Sequence, residues 1–163
     1  MDHDQPVGPT ATKQHEWLLS NVGKWNVDCT FYMDPSQPPM QLKATDVVEA
    51  HGRFFIVAKF ASEMFGAPFH GIATTGYDPA NEQFQSTWID TMTPYLYVFT
   101  GQLDPSGKTL EFKGRAPNPM TQEMADWRTV EQRIDKDTRK FEMFMTTSDG
   151  HEIQLFTHVY KRA

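Results

Sequence analysis

Apolar and polar side chains alternate along most of this chain. From Trp25 through Val27, Cys29 and Phe31 to Met33 every second residue is apolar, with Asn26, Asp28, Thr30 and Tyr32 between them. That is the period of a β-strand with one dry face. Similar runs, rich in β-branched and aromatic residues, predict strands near residues 24–33, 40–50, 54–61, 69–77, 83–92, 95–103, 109–115, 124–134, 140–147 and 152–162. Turn chemistry separates them: Asp34-Pro35, Asp78-Pro79 and Asp104-Pro105 each set a turn-starting carboxylate before a fixed φ, and Asp135-Lys136-Asp137 and Ser148-Asp149-Gly150 supply further hairpin ends. One segment departs from the pattern. Over residues 11–22, Leu18 and Val22 stand four apart with Trp17 beside them, which predicts a short helix stopped by Gly23.

About ten sequential strands without crossover helices must stack as a sandwich or curl into a barrel, and only curling removes the exposed edges. The expected fold is all-β: an antiparallel up-and-down barrel of about ten strands, wide enough for a cavity, with a short N-terminal helix. Residues 1–12 read as a flexible leader and 13–163 as the barrel.

Composition narrows the function. A formal charge of −6, with no local stripe of Lys or Arg, opposes binding to nucleic acid. The longest mainly apolar stretch, residues 54–61, is broken by Lys59 and far too short to span a bilayer as a helix. Asp2, Asp4 and two prolines lie where a secretory signal needs a basic start and an apolar core. Cys29 is the single cysteine, so no internal disulfide forms, and its place on a dry face marks it as a small buried hydrophobe. A cytoplasmic protein is expected, partnered by neither nucleic acid nor membrane; a homodimer through an outer sheet face stays open.

No two of the six histidines stand at the i, i+2 spacing that would aim both at one metal, so no metal site is expected. His3, His15, His51 and His151 read as ordinary polar positions. His70 and His158 fall inside strands, where an inward imidazole would ligate iron, accept a proton or complete a buried hydrogen bond. Met124, Asp126, Arg128 and Val130 share one strand face. Turned inward, Arg128 would offer a planar cationic fork to a carboxylate ligand while Asp126 offsets its charge. The opposite face carries Trp127 with Thr129, Glu131 and Arg133, and the alternation alone leaves the choice open. Trp88 and Asp90 share a face, as do Tyr97 and Phe99. Met143 adds a flexible thioether, suited to an adaptable apolar pocket. No nucleophile elbow, phosphate loop or Cys/His signature is present, so no catalytic residue is assigned.

The step from helix to first strand, Trp17-Leu18-Leu19-Ser20-Asn21-Val22-Gly23-Lys24-Trp25, resembles the calycin opening, a short helix followed by Gly-x-Trp. With Gly52-Arg53-Phe54, Gly76-Tyr77-Asp78, Trp88-Ile89-Asp90-Thr91-Met92 and Tyr160-Lys161-Arg162, the chain from about Lys13 to Arg162 resembles the bacterial domain-of-unknown-function 1579 family of that superfamily. The resemblance implies a calycin-like barrel with Arg162 or Lys161 covering the floor tryptophan, and it implies no activity. Gly66-Ala67-Pro68-Phe69-His70 followed by Gly76-Tyr77 is similar to a stretch of the nitrobindins, ten-stranded barrels that hold haem through a histidine close to the C-terminus. That likeness implies haem with His158, or alternatively His70, as the axial ligand.

The function expected is a carrier or sensor of a small apolar or amphipathic molecule, with an acidic group if Arg128 faces inward. Its ligand-binding residues would be Trp88, Asp90, Tyr97, Phe99, Met124, Asp126, Arg128, Met143, His70 and His158. The alternatives are a haem-binding barrel and an acid–base enzyme using Asp90, Asp126 and Arg128.

Overall fold

The computed structural model describes residues 8–163; residues 1–7, with His3 and most of the expected leader, lie outside the described residues. Helix α1 (Lys13–Leu19) leads into ten strands: β1 (Gly23–Phe31), β2 (Met40–His51), β3 (Phe55–Met64), β4 (Ala67–Asp78), β5 (Gln83–Asp90), β6 (Tyr97–Leu103), β7 (Thr109–Pro117), β8 (Met124–Asp135), β9 (Thr138–Thr146) and β10 (Glu152–Arg162). Each strand pairs antiparallel with its neighbours in sequence, and β1 pairs with β10 from Trp25 opposite Arg162 to Phe31 opposite Phe156. The result is a closed ten-stranded barrel without a free edge.

The helix is shorter than the period suggests. Thr12 caps it, with the His15 side chain completing a capping box. Past Leu19 the chain tightens, Asn21 and Val22 donating their amides to Leu18 and Leu19 carbonyls, and so reaches Gly23 early. Strand β5 stops at Asp90 because its carboxylate takes the amides of Met92 and Thr93 into a turn.

Alternation sends one set of side chains inward on every strand: Trp25, Val27 and Cys29 on β1, Ile56 and Phe60 on β3, Tyr97 and Phe99 on β6, Trp127 on β8 and Tyr160 on β10 are buried. The outer wall carries paired charges where a lipid-facing band would need apolar residues, among them Arg115 with Asp126 at 3.1 Å and Lys140 with Glu142 at 3.4 Å. No helix among the described residues is long and apolar enough to cross a membrane.

Helix α1 and Trp25 close one end. The Trp25 indole donates to the Asn21 carbonyl at 2.9 Å, and the Arg162 guanidinium lies 4.2 Å over its ring. Arg162 also donates to the carbonyls of Val22, Ser20 and Lys136 at 2.9, 3.0 and 3.1 Å. Of the two basic residues expected to cover the floor, Arg162 does so and Lys161 is exposed. Gly23 makes room for it: φ is +142° there, and a Cβ would fall 2.7 Å from Arg162 Nη1. A second guanidinium, Arg133, lies 3.4 Å over Trp17 and donates to the Trp17 carbonyl and Asn21 Oδ1, tying the helix to β8.

Arg162→Ala is expected to cost about 2 kcal/mol of unfolding free energy in a denaturant titration, from lost charged hydrogen bonds and ring stacking. Lys161→Ala should stay within about 0.5 kcal/mol of the native chain.

Candidate functional site

The inner wall does not fill the barrel. Several inward positions on β3, β4 and β5 are short: Ala58 pairs with Ala73, and Thr75 pairs with Ser86 through a 2.9 Å hydroxyl contact. Beside them, on β6, β7 and β8, stand the large rings of Tyr97, Phe99, Phe112 and Trp127. Small residues beside large ones leave a cavity of about 630 Å³, within the range of small-molecule sites.

Its mouth lies at the end opposite α1. Met33, Phe65, Met92 and Met120, from the β1–β2, β3–β4, β5–β6 and β7–β8 connections, line the cavity and are also exposed, so the lumen opens through them. Phe65 holds a left-handed φ of 53°, unusual for an aromatic residue, which keeps its ring at the rim.

The floor above Trp25 is polar. Arg139 lies 3.9 Å over the Tyr160 ring and 4.8 Å over Trp25, with Nη1 2.5 Å from Glu131 Oε1 and Nη2 3.4 Å from Asp46 Oδ2. Burial raises the Asp46 pKa against the pull of Arg139, and Glu131 raises it further. Arg139 loses to burial but gains more from Glu131, Tyr160 and Asp46, so its pKa stands above the ordinary value. Asp46 Oδ1, Arg139 Nε and His158 Nε2 are buried and have no hydrogen-bond partner among the described residues.

His158 sits in an aromatic box. Phe60 and Phe156 stack on it at centroid distances of 5.5 and 4.3 Å, and Tyr160 Oη is 3.5 Å from Nδ1. Burial, aided by Arg139, lowers its pKa to about 3, so the ring is neutral at pH 7. Cys29 pairs with His158 across β1 and β10, and burial followed by the Asp28 charge pushes its thiol up to about 12.

Of the expected ligand-binding residues, the structure turns Trp88, Asp90, Tyr97, Phe99, Met143 and His158 to the lumen. Trp88 can lie flat across β4 because residue 71 is glycine, where a Cβ would come within 2.0 Å of the ring. Asp90 accepts from the Trp88 indole at 2.9 Å as well as from the turn amides, and so works as a positioning residue.

Four expectations are corrected. His70 is exposed on the outer face of β4, since Phe69, Gly71 and Ala73 take the inner positions. Met124, Asp126 and Arg128 face outward on β8. Trp127 decides that register, because its buried indole donates to the Ala116 carbonyl at 3.1 Å. Asp126 pairs with Arg115 outside, and the Arg128 fork grips Glu152 at 3.0 and 2.7 Å over the Phe144 ring. The cationic fork for an acidic ligand is therefore not in the lumen, and Asp90, Asp126 and Arg128 form no acid–base set. Asp46, Glu131, Arg139 and Tyr160 were absent from the expected set, although the Thr129–Glu131 face was visible as the alternative to Arg128.

Among the described residues no group of three or more His, Cys, Asp or Glu could hold a metal ion. Haem would need an open approach to one imidazole nitrogen. His158 is neutral and inward, but less than 1 Å² of Nε2 is accessible, too little for iron to reach it at bonding distance. His158 as arranged does not fit a haem iron.

The family described as Protein of unknown function (DUF1579) matches residues 10–162. No curated protein sequence matches significantly. Among solved structures, Rv2717c from M. tuberculosis is similar at 13% identity and a TM-score of 0.70, over 94% of this chain and 99% of that one. EF1p2_mFAP2b bound to DFHBI is similar at 8% identity and a TM-score of 0.50, over 91% and 98%. These likenesses show the fold.

Two outcomes follow from the buried groups. Native protein at pH 8 should resist thiol reagents at Cys29, with labelling appearing only on unfolding. A histidine that protonates near 6.5 when unfolded and near 3 when folded stabilises the fold above pH 6.5 and withdraws that stability as pH falls. The loss is up to about 1.4 kcal/mol per pH unit, or about 2 kcal/mol at pH 5. Asp46, raised rather than lowered, works in the opposite sense, so the slope should be compared between the native chain and His158→Phe, in which it should flatten.

Proposed function

The chain belongs to the family described as Protein of unknown function (DUF1579), and from that premise we propose that its barrel carries or senses a small, partly apolar molecule held in the lumen. The observation that carries this reading is the 630 Å³ cavity, walled by aromatic and methionine side chains, with the exposed apolar residues Met33, Phe65, Met92 and Met120 at its rim. Thioethers at the rim can reshape around a ligand as it passes, and the Trp25 floor stops the far end. The Gly23-x-Trp25 floor under Arg162 supports placing the barrel among the calycins. EF1p2_mFAP2b, a barrel of similar fold bound to DFHBI, is consistent with this architecture holding a small molecule.

Nile red, a neutral apolar dye, should bind one per chain with enhanced fluorescence. Ala73→Trp, which fills the lumen between Ala58 and Trp88, should weaken binding by about tenfold or more. Arg128→Ala, on the outer wall, should leave it unchanged. Binding unaffected by Ala73→Trp would place the dye outside the lumen and contradict the reading. Added haem should give no Soret band that depends on His158; a band lost in His158→Ala would instead favour a haem protein.

A further inference from the structure

The lumen holds more acid than base. Asp46 and Glu131 face inward at the floor and Asp90 lies towards the mouth, while Arg139 is the one Lys or Arg among the described residues that lines the cavity. His158 adds no charge at neutral pH. The single guanidinium does not satisfy both floor carboxylates. It meets Glu131 Oε1 closely but Asp46 Oδ2 only at 3.4 Å, and Asp46 Oδ1 has no partner among the described residues. Glu131 Oε2 has no hydrogen-bond partner among the described residues either, and this side chain, which lines the cavity, keeps 11% of its surface exposed. Separately, His158 Nε2 on β10 is buried in the same wall with no partner among the described residues.

An incoming anion would have to settle between two carboxylates, on a guanidinium already stacked against Trp25 and Tyr160. A cation meets the reverse: an unused acceptor oxygen on Glu131 and, on the way down, a wall that includes Phe60, Trp88 and Tyr97, aromatic residues of the kind that attract positive charge. A carboxylate oxygen without a donor in such surroundings is costly, and a ligand N–H supplies one at Glu131 Oε2, which stays accessible, whereas Asp46 Oδ1 is sealed from the lumen.

We propose that the cavity takes an amphiphile with a positively charged head, an alkyl- or arylammonium, seated head-down on Glu131 with its apolar body among the aromatic walls. This rests on the lumen-binding function above and adds the charge of the ligand. The head donates to Oε2 of Glu131, the carboxylate oxygen that Arg139 leaves unused, while Arg139 holds the other oxygen of the same carboxylate.

Calorimetric titration of the full chain near pH 7 with dodecylammonium, dodecanol and dodecanoate, each below its micelle concentration, separates head charge from chain length. Dodecylammonium is expected to bind about tenfold or more tightly than dodecanoate, with dodecanol between them. In Glu131→Gln the ammonium preference should shrink to about threefold or less, while dodecanol affinity holds. Equal or tighter binding of dodecanoate, or a preference untouched in folded Glu131→Gln, would overturn the charge selectivity and leave the lumen-binding function standing. Failure of all three ligands to bind would count against both. The order measured on the native chain decides the charge question even if the variant does not fold.

Discussion

Seven paired positions join β1 to β10, and on that seam the rest of the molecule depends. Without it the ten strands would be an open sheet with two unpaired edges and a dry face turned to water. With it, every inward side chain faces the same lumen, and residues far apart in sequence meet. Cys29 comes beside His158, Val27 beside Tyr160, and Trp25 beside Arg162. The floor is thus a product of closure: Trp25 can be covered on its outer side by Arg162 and approached from the lumen side by Arg139 only because first and last strands are neighbours.

Closure also explains why charge is found inside. A buried guanidinium is tolerated only with partners, and β2, β8 and β10 surround Arg139 with Asp46, Glu131 and the Tyr160 ring. The set fixes the sheet register at the closed end while leaving acceptor oxygens unused. Towards the mouth the wall becomes apolar, so one cavity has a polar floor, aromatic sides and a methionine-rich rim. That gradient suits a molecule with a polar head and an apolar body, and it ties the fold's stability to the same residues that would meet the ligand.

Much of this was legible in the chain. Period-2 alternation and Asp-Pro turns located all ten strands, and the inward set Trp25, Val27, Cys29 and Phe31 on β1 followed directly from the pattern. Trp88, Tyr97, Phe99 and Met143 were visible as inward candidates for the same reason. The misplacement on β8 has a physical cause. Its two faces carry similar numbers of polar residues, and what turns Glu131 inward is Arg139 on the next strand, a residue that reads locally as part of a polar hairpin end. The third partner, Asp46 on β2, stands 93 residues from Arg139 in the chain and reaches it only through closure, which leaves no local signal. His70 failed differently: a likeness over a few residues marked its type, while the alternation of Phe69, Gly71 and Ala73 on β4 already pointed it outward.

The central claim is that a small apolar molecule occupies the lumen, and the methionines are its most direct reporters. Methyl-labelled methionine NMR with saturating dodecanol would detect which thioether methyls touch the ligand. Close contacts to Met143 on the inner wall, together with the rim methionines Met33, Met92 and Met120 and none to outward-facing Met124, are the predicted result. Contacts to Met124 with none to Met143 would place the ligand on the outer surface and contradict the account.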